Sequence, residues 1–103
     1  MAQIQQRSQI HSFTGMNGAG WTAVTVPAAS GARRLVIRNN DLADTIEVCT
    51  DTADAAAVAL IAASGSLALE FRDASGTVQK AKYGETVCYV RGSGDQPVMQ
   101  WEA

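Results

Sequence analysis

The punctuation of this chain constrains its fold more than any other feature. From Trp21 onward, short runs rich in β-branched and aromatic side chains are cut at regular intervals by turn residues. The runs are Trp21 to Val26, Arg33 to Asn39, Asp44 to Thr50, Ser66 to Arg72, Thr77 to Tyr83, Thr86 to Arg91 and Pro97 to Glu102. Between them stand Ser30-Gly31, Asn39-Asn40-Asp41, Ser64-Gly65, Ser75-Gly76, Gly84-Glu85 and Gly92-Ser93-Gly94-Asp95. Seven such runs, spaced about ten residues apart, predict an all-β chain: a small antiparallel β-sandwich, jelly-roll or Ig-like, of about seven or eight strands.

Alternation names the core faces, because every second residue of a strand points to the same side. Leu35 and Ile37 alternate with Arg34, Val36 and Arg38; Ile46 and Val48 alternate with Glu47 and Cys49; Leu67, Leu69 and Phe71 alternate with Glu70 and Arg72. Near the C-terminus Met99 and Trp101 should point inward while Gln100 and Glu102 point out, which makes the last run part of the fold. Gly84 as the first residue of a two-residue loop suits a type II′ hairpin turn between Tyr83 and Thr86. The alanines of Thr52 to Ala63 favour a helix, yet Val58, Leu60 and Ile61 make no helical stripe. An extended, edge-like excursion is expected there, with a one- or two-turn helix as the alternative.

Residues 1–20 differ from the rest, with glutamine, serine and glycine throughout and only Ile4, Ile10 and Phe13 as sizeable apolar residues after Met1 and before Met16. No period of either kind runs through them. They are expected to form an N-terminal arm, mobile or ordered by whatever it lies against, followed by a sandwich domain over 21–103.

At 103 residues, 47% hydrophobic and 17% charged, the composition is that of an ordinary globular domain with a single core. A formal charge of −2 and scattered arginines and lysines give no field that would draw in nucleic acid or an anionic membrane. The longest apolar run, Ala55 to Ala63, is too short to span a bilayer, and the first residues lack the apolar stretch of a secretion signal. A soluble protein made in the cytoplasm is expected.

Chemistry-bearing motifs are sparse. His11 is the single histidine and lies in the arm, so a Ser-His or Cys-His mechanism would depend on a loosely held base. Cys49 and Cys88 lack zinc-site spacing; they are expected to be half-buried thiols acting as small apolar residues, with a disulfide as the alternative. Asp41 with Asp44, and Asp51 with Asp54, read as loop acids that shape turns, because the calcium-loop spacing is absent; an adventitious surface calcium at Asp41 and Asp44 is the lesser alternative. Gly18-Ala19-Gly20-Trp21-Thr22-Ala23 imitates a dinucleotide fingerprint, but a polar arm precedes it and a strand follows. No enzyme, cofactor or metal is expected. The surfaces open to binding are the arginine face of the second run, Arg34 and Arg38, and Trp21 at the junction of arm and domain.

A resemblance adds to this reading. Arg33-Arg34-Leu35-Val36-Ile37-Arg38-Asn39, then Thr45-Ile46-Glu47-Val48, the Ala62-Ala63-Ser64-Gly65-Ser66-Leu67-Ala68-Leu69 stretch, Thr86-Val87-Cys88-Tyr89-Val90-Arg91-Gly92-Ser93-Gly94, and Val98-Met99-Gln100-Trp101-Glu102 resemble small β-sandwich virion proteins of tailed bacteriophages. The resemblance implies a capsid decoration or cement protein, or another head or tail accessory, made in the host cytoplasm and carried on the capsid surface. Its implied partners are the major capsid protein and neighbouring copies of itself, in a homo-oligomer for which a trimer is one form. Ile4, Ile10, Phe13 and Trp21 would dock onto a neighbour, with Arg34 and Arg38 adding charged contacts. Deleting residues 1–20 would then abolish attachment and leave the domain folded. A carbohydrate- or surface-binding sandwich module is the reading from another class.

Overall fold

The computed structural model describes residues 8–28, 30–53 and 58–103, and within them the chain is all-β, without a helix. Eight strands follow one another: β1 (Ser8–Ser12), β2 (Thr22–Thr25), β3 (Arg34–Arg38), β4 (Ile46–Cys49), β5 (Ala59–Ile61), β6 (Ser66–Glu70), β7 (Thr86–Arg91) and β8 (Val98–Glu102). They form two antiparallel sheets of four, one in the order β1-β8-β3-β6 and the other β2-β7-β4-β5.

The pairing is nested. β4 meets β5, β3 meets β6, β2 meets β7 and β1 meets β8, as if one long hairpin had been folded at the segment between β4 and β5. Rolling that hairpin brings β8 beside β3 and β7 beside β4, and this closes both sheets. Such an order is that of a jelly roll, the first of the two expected sandwich types.

The alternation seen in the sequence fixes which faces meet. Leu35 and Ile37 of β3, with Met99 and Trp101 of β8, point into the space between the sheets; opposite them lie Val24 of β2, Ile46 and Val48 of β4, and Cys88 and Val90 of β7, all nearly inaccessible to solvent. Each fully buried Leu, Ile or Val contributes about 1.5–3 kcal/mol relative to remaining exposed. Phe71 closes one end of this core, its ring centroid 6.4 Å from that of Trp101.

Among the described residues, Asn39 is the strongly buried polar side chain that ties elements together. Its amide nitrogen donates to the carbonyls of Asp44 (2.8 Å), Ile61 (3.1 Å) and Ala62 (3.2 Å), and its oxygen accepts from the Asp41 amide. The end of β3 is thereby fixed to β5 in the opposite sheet, with the cost of burying an amide offset by satisfied bonds.

Three sequence expectations need correction. Thr77 to Tyr83 is no strand: it makes a single bridge, Arg72 to Val78, and then hands its N–H groups to scattered acceptors, Gln79 to Phe71 and Ala81 to Ala32. Its apolar residues are too few to give either face a continuous contact, so it crosses the end of the sandwich as a loop. Gly84 does not begin a type II′ hairpin. The turn runs from Lys82 to Glu85, closed by the Glu85 N–H on the Lys82 carbonyl, and Gly84 sits third in it with φ of 81°, the type II position that requires a left-handed residue. Cys49, expected beside Glu47 on an exposed face, is 2% accessible, and Cys88 is wholly enclosed, so the thiols are buried rather than half-buried.

The segment read as an arm supplies β1, and Met16 beyond it is buried in the core with Phe13 packed against its margin. A backbone ladder needs no apolar period, which is why the strand left no mark in the sequence. Thr52 to Ala63, expected to be an edge-like excursion, includes the edge strand β5; Asp54 to Ala57 lie outside the described residues.

Candidate protein-binding face

Strand register places the outward side chains of the β1-β8-β3-β6 sheet in three rows. The first runs Ser8, Glu102, Arg34, Glu70; the second Ile10, Gln100, Val36, Ala68; the third Ser12, Val98, Arg38, Ser66. The middle row carries no charge, and Ile10 at its end is 65% exposed. Arginines stand on either side of it.

Both arginines are held by β8. The Arg34 Nε donates to the Glu102 carboxylate at 2.6 Å, with an ion pair through Nη2, while Arg38 donates through Nε and Nη2 to the Gln100 amide oxygen at 3.2 and 3.1 Å. Gln100 in turn donates to Glu102, which links the two guanidinium groups through one chain of bonds. The Arg34 hydrogen bond holds the Glu102 carboxyl below its ordinary range against a smaller opposing effect of burial. Arg38 makes its bonds to a neutral amide and acts on Glu102 only through its charge, so it can still take an acidic group brought against the sheet.

Ile10, Arg34 and Arg38, named from the sequence, thus share one face. Phe13 and Trp21 do not join them. Phe13 lies past the end of β1 at a crevice of about 330 Å³ between the β1 and β2 edges, with Thr25 at its rim and Val24, Met99 and Trp101 at its base. Trp21 lies on the outer side of the other sheet, where the Arg91 guanidinium sits 4.2 Å from its ring centroid. Arg91 also grips Glu47 through two nitrogens, Nη2 at 2.8 Å and Nε at 3.2 Å, and that hydrogen bond lowers the Glu47 carboxyl. Ile4 lies outside the described residues.

The sequence reading placed Gln100 and Glu102 on the outer face but missed their role in orienting the arginines. The signal was present: both share the parity of Val98 in the last run, and only the pairing of β8 with β3 brings them to Arg38 and Arg34.

Elsewhere the polar residues serve the fold. Asp41 accepts from the amides of Asp44 (2.7 Å), Ala43 (2.8 Å) and Asp95 (2.9 Å), which depress its carboxyl and staple two loops together. A side chain at Gly94 would meet that carboxylate at 2.5 Å, so glycine is required there by close approach. Asp73 is occupied in the same way by Ser75, Thr77 and Gln79. Burial pushes the Cys88 thiol up to about 12, with the nearby Cys49 adding to the effect, and raises Cys49 as well, which leaves both far from a reactive thiolate at neutral pH. Among the described residues no group of three or more His, Cys, Asp or Glu could hold a metal ion, and no helix is long and apolar enough to cross a membrane. Compared with known proteins, the chain matches no family model, no curated relative and no solved structure.

Proposed function

We propose that this chain is a non-enzymatic structural protein of a tailed-phage virion, a decoration protein that binds the major capsid lattice through the outer face of the β1-β8-β3-β6 sheet. The observation that carries the reading is the middle row, Ile10, Gln100, Val36 and Ala68, set between Arg34 and Arg38. Uncharged side chains on four paired strands give a surface that can lie against another protein, and the held arginines supply direction. Jelly rolls recur in viral capsid proteins and in lectins, so the fold supports the virion reading by analogy alone. The face supports the first of these over the second, since its twelve outward side chains include no aromatic ring on which a sugar could stack.

Many copies on a lattice would each bridge capsid subunits, and breaking the shell would require breaking those contacts first. Deletion of residues 1–20 removes β1 and the buried Met16, so it tests folding as well as docking. The cleaner experiment is co-sedimentation with empty capsids of the Arg34→Glu/Arg38→Glu double variant. The wild-type chain should pellet with the shells and the variant, still folded by circular dichroism, should stay in the supernatant. Equal pelleting of the two, or failure of the wild type to pellet, overturns the proposal.

A further inference from the structure

Leu42 stands at one end of the sandwich, 87% exposed, on a turn that is fixed on both sides. Before it, the Asp41 N–H donates to the Asn39 side-chain oxygen at 3.0 Å, and the Asp41 carbonyl accepts from the Ser64 amide at 3.0 Å. After it, the Ala43 and Asp44 amides donate to the Asp41 carboxylate. A lone leucine at a surface is ordinary. One held out on a fixed turn is a ready anchor for a socket, because little freedom is left to lose on binding.

The opposite end of the chain offers such a socket. A hollow of about 180 Å³ opens beside the crossing between β6 and β7, with Phe71 and Ala81 in its wall and Arg72, Lys80 and Lys82 around it. Tyr83, 76% exposed, follows directly. The charges of the two ends are complementary. Four connections meet at the Leu42 end, 13–21, 39–45, 62–65 and 92–97, and their charged residues are Asp41, Asp44 and Asp95, with no lysine, arginine or histidine. The hollow's end is mixed, but the β6–β7 crossing, with Arg33 bonded beside it through the Phe71 amide, sets Arg33, Arg72, Lys80 and Lys82 against Asp73 and Glu85. Those two acids are engaged by their own loop, Asp73 by the Thr77 amide and Glu85 by the Lys82 amide, each at 3.0 Å. Lys80 and Lys82, like Asp44 and Asp95 at the far end, form no ion pair among the described residues.

We propose that copies of this chain associate head to tail, Leu42 of one seated in the Phe71–Ala81 hollow of the next, with Asp44 and Asp95 facing Lys80 and Lys82. The two surfaces differ, so each copy uses one and offers the other. The contact therefore repeats into a ring or an open chain instead of stopping at two. Opposite charge favours the unlike ends, and two acidic ends repel. The contact is small and hence weak in solution. It requires no capsid and stands apart from the capsid reading, since the purified chain alone tests it.

Sedimentation velocity over a concentration series of the full chain should show the mass rising past two chains, and added salt should weaken the association. Leu42→Ser and the Lys80→Glu/Lys82→Glu double variant alter exposed side chains only, so their circular dichroism should match the wild type. Each should weaken self-association at least tenfold. Mixing them is the sharper test, because the first keeps a working hollow and the second a working leucine. The mixture should form a one-to-one dimer and grow no further. A wild-type chain that stays monomeric at every concentration, association that stops at a dimer, a variant that associates as well as the wild type, or a mixture that stays monomeric overturns the proposal.

Discussion

The outer faces of the two sheets carry similar residues and use them differently. On the β2-β7-β4-β5 sheet, Arg91 is covered by the Trp21 ring on one side and bound at its edge by both Glu47 oxygens, so that cation, ring and acid satisfy one another. On the other sheet Arg34 and Arg38 are steadied by their neighbours from one side only. The Arg34 side chain keeps 48% of its exposure against 32% for Arg91. An arginine enclosed by an aromatic and a bidentate carboxylate stiffens its own sheet; one held through Nε and Nη2 at its edge, with more of its side chain exposed, can still engage a partner. Three residues of the same type thus divide between holding a fold together and presenting it.

That contrast concerns the outer faces, so the inner faces should respond alike. Ile37→Ala and Ile46→Ala, one in each sheet and both buried, should each cost about 2–5 kcal/mol in denaturant unfolding, and a loss confined to one sheet would break the picture of a shared core. The inner faces do differ in one titratable group. The Cys88 thiol has a folded value of about 12 against an ordinary 9.0, so the folded state favours the protonated form. Its contribution is complete below pH 9 and is lost as the pH rises toward 12, in total on the order of 4 kcal/mol, because the unfolded chain alone ionises in that window. Stability measured from pH 8 to 12 should therefore fall more steeply for the wild type than for Cys88→Ala.

The outer faces should give smaller and unequal effects. Arg91→Ala removes the cation over Trp21 and the partner of Glu47, so it should lower the thermal midpoint measurably and shift the tryptophan emission, since Trp101 stays buried as a constant background. Arg34→Ala breaks an exposed pair and should cost less than about 1 kcal/mol. A larger loss from Arg34 than from Arg91 would reverse the division between the faces. Glu47 and Glu102 both have lowered carboxyls, so each stabilises the fold above its unfolded value and loses that contribution as acid protonates it. Acid titration of Arg34→Ala and Arg91→Ala should show each variant missing one part of that loss.

The core was legible because burial forces alternation: Leu35, Ile37, Met99 and Trp101 announce their side by spacing alone. Ile10, Arg34 and Arg38 were legible as candidates for the same reason, though their common face needed the β1-β8-β3 pairing, which no local pattern encodes. β1 itself was hidden. Edge strands are held by backbone bonds on one side, and Ser8 to Ser12 has only Ile10 as a large apolar residue. Thr77 to Tyr83 shows the converse: β-prone residues without a continuous apolar face stayed a loop, because propensity alone does not create a neighbour to pair with.

The nesting of the strands sets an order of events during synthesis. Ser8 ends opposite Glu102, and Arg34 lies between Glu102 and Glu70, so β1 cannot form its ladder until β8 has emerged from the ribosome. Topologies so dominated by distant contacts fold slowly, in milliseconds to seconds. Until β8 arrives β1 lacks that partner, so slower elongation of the message should raise the chain's dependence on chaperones.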